Sequence, residues 1–333
     1  MPVDICIVGG AGHIGLPLAI AFANVGRRIL IYDIDREALD LIRQGQMPFM
    51  ERGADRLLKE VLAKGLLCFS SNPDGVTGVP IVIITIGTPV DEFLNPDVKV
   101  VRSCVDELLP FLSNEQLIVM RSTVFPGTTE WLRKYLLSKG MHASVAFCPE
   151  RVVQGCAIEE LGRFPQIVSG TTPKSEDAAA DLFELIASEI VRLSPMEAEF
   201  AKLFSNAYRY IQFAVSNQFY MMASSAGVDF YRVLDGAKKN YPRLSEVPSA
   251  GFAAGPCLFK DSVQLASFFN NELNIAHTAM LINEGLPAFI VNKILEKHDL
   301  EHMTVGLLGM AFKADSDDPR SSLSYKLKKM LAF

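Results

Sequence analysis

The sequence predicts an α/β protein with a doubly wound parallel sheet in its first half. A long spine helix and a helical middle region follow, and then one further strand and helix. Three observations carry this. Compact apolar, β-branched runs alternate with helical spacing as far as about residue 170. The first such run ends in a glycine-rich turn. From Met196 to Ser225 there are thirty residues without a glycine or proline.

In chain order, Val3–Val8 reads as a buried strand, Ile14–Val25 as a helix stopped by Gly26, and Ile29–Tyr32 as a second strand. Arg36–Arg43 is a short helix ended by Gly45. Further strands are expected at Leu66–Phe69, Val79–Ile86, Leu117–Met120, Ala143–Phe147 and Gln166–Ser169. Such runs are apolar on both faces, as in a parallel sheet covered by helices. Met196–Ser225 keeps helical apolar spacing for longer than an average globular helix, which suits a spine between domains. Val228–Asp299 reads as mostly helical, broken by a Gly/Pro-rich stretch from Pro242 to Pro256. Met303–Gly309 reads as a fresh buried strand and Leu323–Leu331 as a helix. Those two cannot bury a core alone, so they either dock on the preceding domain or open a third domain that is cut short. The expected domains are 1–195, 196–300 and 301–333.

The 333 residues are 49% apolar and 21% charged, which excludes disorder as the main state. With Lys plus Arg at 32 against Asp plus Glu at 38, the net charge is −6, a poor basis for generic nucleic-acid binding. No apolar run is long enough to span a bilayer. A strand begins at Val3, leaving no room for a signal peptide. The six cysteines lack CxxC spacing and the five histidines lack HxxxH or His-Cys spacing, so no metal is expected and the thiols read as reduced. Together these features suggest a soluble, cytoplasmic protein.

After the first strand, Gly10, Gly12 and Gly15 fit GxGxxG. In this pattern one glycine makes the turn, one admits a pyrophosphate, and one lets helix and strand pack closely. The phosphate then meets unpaired N–H groups at the helix start. Asp33 closes the second strand about twenty residues on, where a carboxylate accepts from ribose hydroxyls. The half is therefore Rossmann-like. Asp33 would repel a 2′-phosphate, favouring NAD over NADP, although Arg36 nearby weakens that preference.

Several further segments stand in a fixed order: Gly87-Thr88-Pro89, Ser122-Thr123-Val124-Phe125-Pro126-Gly127-Thr128, and Cys148-Pro149-Glu150-Arg151. Next come Lys202 and Asn206 in the run from Glu199, then Gly255-Pro256-Cys257-Leu258-Phe259-Lys260-Asp261, then Phe312-Lys313 with Asp317-Asp318-Pro319-Arg320. Together with the glycine loop they make essentially the whole chain resemble the UDP-glucose/GDP-mannose (nucleotide-sugar) 6-dehydrogenases. The resemblance implies oxidation of the C6 alcohol of a nucleotide-bound sugar to a carboxylate with two NAD. It also implies a homodimer through the 196–225 helix and a chain that ends inside the third, nucleotide-sugar domain.

The resemblance carries roles onto individual residues. Cys257 is the matching thiol. A thiolate adds to an aldehyde to give a thiohemiacetal, which oxidises to a thioester that water cleaves. Lys202 and Asn206 are spaced i, i+4, so one helix face presents a cation and an amide donor suited to oxyanions. Asp261 matches a residue that helps activate water. Lys260, Thr88, Thr123 and Arg320, with His13 and Ile14 of the glycine loop, match cofactor contacts. Thr123 also matches a residue near the reacting carbon. Glu150 matches a carboxylate beside the sugar, as base or as positioner. Arg151, Phe252, Gly255 and Lys313 match substrate contacts, and Arg243 resembles an arginine that reaches the substrate pyrophosphate, with a reach across a dimer interface left open.

The sequence also departs from the family pattern. Ala38 stands where a basic residue often follows the ribose acid. The run Gly251-Phe252-Ala253-Ala254-Gly255 is less glycine-rich than usual. After Glu150 the run is Arg151-Val152-Val153-Gln154-Gly155, and Gln154 replaces a second carboxylate. That form is similar to the branch acting on UDP-N-acetylhexosamines, of the UDP-N-acetyl-mannosamine type. The alternatives are a UDP-glucose 6-dehydrogenase, a single-hydride β-hydroxyacid dehydrogenase needing no thiol, and a nucleotide-binding protein without catalysis.

Overall fold

The structure, a computed structural model, describes residues 2–91, 97–255 and 257–332. Pro256, where the Gly-Pro pair suggests a bend, lies outside the described residues. Two compact units divide the chain between Lys202 and Leu203.

In the first unit the elements run β1 (Ile5–Val8), α1 (Gly15–Asn24), β2 (Ile29–Tyr32), α2 (Arg36–Arg43), α3 (Ala54–Ala63), β3 (Leu67–Ser70), β4 (Ile81–Ile84) and α4 (Val98–Leu108). They continue with β5 (Leu117–Met120), α5 (Thr128–Ser138), β6 (Ser144–Phe147), α6 (Ala157–Leu161), β7 (Gln166–Gly170), α7 (Pro173–Phe183) and β8 (Ile190–Arg192). The sheet order is β3-β2-β1-β4-β5-β6-β7-β8. The order reverses beside β1, which places a crevice at the carboxyl ends of β1 and β4. All four residues of β1 are buried: Ile5 and Ile7 join one core cluster, Cys6 and Val8 the other. Alternate side chains feeding two cores is what a continuous apolar run means in such a sheet.

The expectation of a wholly parallel sheet is corrected at one place. β6 and β7 pair antiparallel, Ala146 opposite Gly170 and Phe147 opposite Ser169. The connection, residues 148–165, is loop apart from the five-residue α6, and the chain re-enters the sheet from the end it left. β8, which pairs parallel with β7, was not expected. It is three residues long and half-exposed, too little for a pattern to show.

The helix α8 (Pro195–Ser225) begins in the first unit and continues into the second. There follow α9 (Phe230–Lys238), α10 (Leu258–Phe268), α11 (Asn274–Leu295) and α12 (Leu323–Leu331). Tyr210, Ala214, Ala253 and Ala279 form the second unit's core, and α12 packs on α11. The strand expected at Met303–Gly309 does not form. The segment is largely exposed, Leu308 fully so, and a lone strand has no neighbour to complete its backbone hydrogen bonds. Among the described residues no helix is long and apolar enough to cross a membrane.

Candidate active site

The first unit builds a dinucleotide cradle. The N–H groups of Gly9 and Gly10 donate to Tyr32 O at 2.9 and 3.2 Å, folding the turn after β1 onto β2. A Cβ on Gly10 would stand 2.7 Å from Ile7 O, and one on Gly15 would stand 2.5 Å from Gly9 O. At Gly12 the nearest atom would be 3.5 Å away, so that position opens outward. The N-cap of α1, Ile14, offers no side-chain acceptor; Leu16 N already donates to Gly12 O at 3.0 Å and Pro17 has no N–H, so an anion would meet the N–H groups of Ile14 and Gly15. Asp33 Oδ2 accepts from Ala11 N at 2.9 Å and Oδ1 from Asp35 N at 3.0 Å, which aims the carboxylate along the turn. Beside it opens a cleft of about 450 Å³, lined in part by Gly9, Gly12, Asp33, Thr85 and Glu107. These features fit NAD, which the glycine turn and Asp33 would hold. His13 stacks on Phe49, ring centroids 4.0 Å apart. Thr85 was missed. Its hydroxyl lies 2.8 Å from Val8 O and 3.0 Å from Gly9 O, tying β4 to the turn.

The neighbouring strand ends are cross-linked. Thr88 Oγ1 donates to Thr123 O at 2.5 Å, and Ser122 Oγ donates to Ile86 O. Glu150 is buried and its carboxylate is occupied: Oε2 pairs with the fully buried Arg121, and Oε1 accepts from Arg151 N at 2.8 Å and Val152 N at 3.0 Å. Of the two roles open to Glu150, this geometry favours positioner. Arg121 also donates to Cys148 O and Gln166 Oε1, both at 3.0 Å. Arg151 donates to Pro165 O, and burial lowers its pKa from the usual arginine value despite Glu150 beside it. Lys202 is half-buried on α8.

The second unit gathers a different set. Cys257 is exposed and sits at the N-cap of α10. By contrast, burial pushes the thiols of Cys6, Cys104 and Cys148 up to about 12. The sulfur sits at a helix start and interacts electrostatically with the Arg320 guanidinium, which is itself paired with Asp318. That is the setting in which a thiolate acts as nucleophile. Asp261, one turn along, is fully buried, and its Oδ2 accepts from Asn206 Nδ2 at 2.5 Å. Lys260 Nζ lies 3.3 Å from Asp261 Oδ1, yet that oxygen has no geometrically proper hydrogen bond. We read the contact as an ion pair that leaves a lone pair available.

Arg320 grips Asp318 with Nε at 2.9 and 3.0 Å and Nη2 at 2.6 Å. This hydrogen bonding first of all raises its pKa above the usual value. Gly255 is left-handed at φ +100°, and a Cβ there would meet the Phe312 ring at 2.6 Å. Lys313, next in chain, is half-buried. The thiol loop is also anchored from behind. Asn217 on α8 exchanges hydrogen bonds with Gly251 at 2.9 and 2.8 Å and donates to Asn283 at 2.9 Å. Neither amide stood out in the sequence. Phe252 lines a small apolar cavity of about 220 Å³ with Tyr220 and Tyr231. Arg243 is exposed on the 3₁₀ turn Pro242–Leu244, over the Tyr241 ring.

Comparison with known proteins gives two family matches. Residues 3–187 match the NAD-binding domain of the UDP-glucose/GDP-mannose dehydrogenase family, and residues 196–285 match its central domain. The chain is 31% identical to a UDP-N-acetyl-D-mannosamine dehydrogenase of Pyrococcus horikoshii, over 97% of this chain and 79% of that protein. The solved structure of a UDP-D-ManNAc dehydrogenase from Pyrococcus horikoshii superposes with a TM-score of 0.91 at 30% identity, covering 98% of this chain and 80% of that one. A UDP-glucose dehydrogenase from Pyrobaculum islandicum gives 0.90 at 26% identity, covering 99% and 80%.

Proposed function

We propose, for a chain that belongs to the UDP-glucose/GDP-mannose dehydrogenase family and is an NAD-dependent nucleotide-sugar dehydrogenase, that it oxidises the C6 alcohol of a UDP-N-acetylhexosamine to the carboxylate through a covalent intermediate on Cys257. The observation that carries this reading is the exposed thiol at the head of α10, in one unit with Asn206, Lys260, Asp261 and Arg320. Two supports favour the acetamido sugar: Gln154 in place of a second carboxylate, and the likeness to a UDP-N-acetyl-D-mannosamine dehydrogenase.

In this reading the glycine turn and Asp33 would hold NAD, which would supply the hydride acceptor for both oxidations at C6. Lys202 and Asn206 donate hydrogen bonds to the C6 oxygen as negative charge grows on it. Thr123 borders the reacting carbon. Cys257 Sγ adds to the aldehyde carbon, forming the C–S bond while the carbonyl oxygen takes up a proton. The second oxidation leaves a thioester. Asp261 orients a water onto that carbon, the C–S bond breaks, and sulfur leaves as thiolate. One water and two NAD are consumed per sugar, giving a carboxylate, two NADH and three protons. Glu150 holds the strand-end loop. Lys313, Phe252 and Gly255 face the sugar nucleotide, and Arg243 its pyrophosphate. The units of function are residues 1–195 for NAD, 196–300 for the spine and thiol loop, and 301–333 contributing to the nucleotide-sugar site.

A second copy covers α8 in this reading. Phe204, Tyr208, Val215, Phe219 and Met222 are 42–62% exposed. At 100° per residue they fall within about 60° of arc, one apolar stripe. A panel of UDP-sugars scored by NADH formed per sugar consumed tests the function. Two NADH with an N-acetylhexosamine are expected. One NADH per sugar favours the single-hydride reading and contradicts ours.

A further inference from the structure

The buried carboxylate of Glu199 has no place in the chemistry above, yet it is held by three donors. Glu199 is 1% exposed, in the first turns of α8. One oxygen accepts from Gly127 N at 2.6 Å, the other from Thr129 N at 2.8 Å and Thr129 Oγ1 at 2.6 Å. These donors are the start of α5. Its N-cap is Gly127, which has no side chain to satisfy the first-turn N–H groups. Glu199 therefore caps α5 from another helix, and its charge sits at the positive end of that helix.

Two other facts give the cap a direction. Upstream of α5, Phe125 O accepts from Thr128 N at 3.1 Å and Thr128 Oγ1 at 2.6 Å, so the turn carrying Thr123 moves with Gly127 and Thr128. Downstream, Lys202 follows Glu199 by three residues on α8, on the same side of the helix. Burial raises the Glu199 pKa, and the charged group acting on it is Glu130, of like sign. A hydrocarbon side chain would avoid that penalty but leave three donors without their partner. What the carboxylate adds is fixed geometry between two elements.

We propose that Glu199 is a positioning residue that sets Lys202 against Thr123 by clamping the start of α5 to α8; this rests on the roles given to Lys202 and Thr123 above. A clamp of this kind acts on the rate of chemistry, because a displacement near 1 Å costs about 100-fold when reacting groups must be aligned.

The test compares Glu199→Gln and Thr129→Val with the parent chain, using UDP-N-acetyl-D-mannosamine and NAD, with Lys202→Ala and Thr123→Ala alongside. Glu199→Gln keeps the size but turns an amide N–H toward a donor. Thr129→Val removes only one donor and serves if the first variant fails to fold. We expect both folded variants to bind NAD with an unchanged Kd and to keep KM for the sugar within about twofold. We expect kcat to fall about 10- to 100-fold for Glu199→Gln and several-fold for Thr129→Val. The deuterium isotope effect at C6 should rise in both, which a loss of folded protein would not produce. Parental kcat in the folded variants overturns the clamp while leaving the chemistry intact, provided Lys202→Ala and Thr123→Ala are impaired. Parental turnover in Lys202→Ala and Thr123→Ala overturns the underlying roles, and the clamp with them.

Discussion

Two glycines three residues apart are expected to respond to the same substitution in opposite ways. At Gly15 an added Cβ would lie 2.5 Å from Gly9 O, 2.7 Å from Gly10 Cα and 2.9 Å from Thr85 Oγ1. Two of these are backbone atoms of the turn and cannot swing aside. Overpacking of this kind costs about 1–3 kcal/mol, and replacing glycine at a helix start returns at most about 1 kcal/mol of helix propensity. With the full propensity gain subtracted, Gly15→Ala should still lose up to about 2 kcal/mol net, a fall in Tm of up to about 8 °C for a unit of this size. At Gly12 the nearest contact would be 3.5 Å, so Gly12→Ala should melt with the parent protein. Its methyl group would instead occupy the space a pyrophosphate needs, and NAD affinity should fall at least about tenfold. Scanning calorimetry without NAD and titration calorimetry with it separate the two effects. Equal loss of Tm without NAD in both variants would refute the assignment of close packing to Gly15 and of ligand approach to Gly12.

Other outcomes follow from the same contacts. Asn217→Leu should lower stability by about 2–4 kcal/mol, since both Gly251 backbone groups and Asn283 lose a partner, and denaturant titration measures this. Iodoacetamide at pH 8 should modify Cys257 before Cys6, Cys104 or Cys148, whose thiols burial pushes up to about 12; peptide mass mapping gives the order. Those raised values also set a pH dependence. Between about 9 and 12 the unfolded chain releases these protons and the folded one keeps them, so stability should fall as pH rises through that window. The slope is at most about 1.4 kcal/mol per pH unit per thiol, readable as Tm against pH.

The sheet was legible because its strands are buried on both faces, so apolar runs such as Ile29–Tyr32 and Leu117–Met120 coincide with strands. Direction was not legible at β7, because the connection of residues 148–165 is long enough for either direction and α6 carries no strong pattern. The strand signal at Met303–Gly309 failed for another reason: composition can favour a strand, but only a neighbouring strand completes one. Glycine-loop residues and Cys257 could be picked out because a motif surrounds them. Glu199, Thr85 and Asn217 could not. Each is a single polar residue whose partners lie 70, 77 and 34 residues away, and only the fold joins them. Glu150 shows a middle case, where the motif flagged the carboxylate and the Arg121 pair revealed how it is held.

Whether one sulfur atom carries the substrate is most directly tested by replacing it. With Cys257→Ala, a UDP-N-acetylhexosamine and excess NAD, we predict no uronate and at most one NADH per sugar, with any aldehyde captured by added hydroxylamine. Uronate formed by that variant at close to the parental rate would contradict covalent catalysis at Cys257.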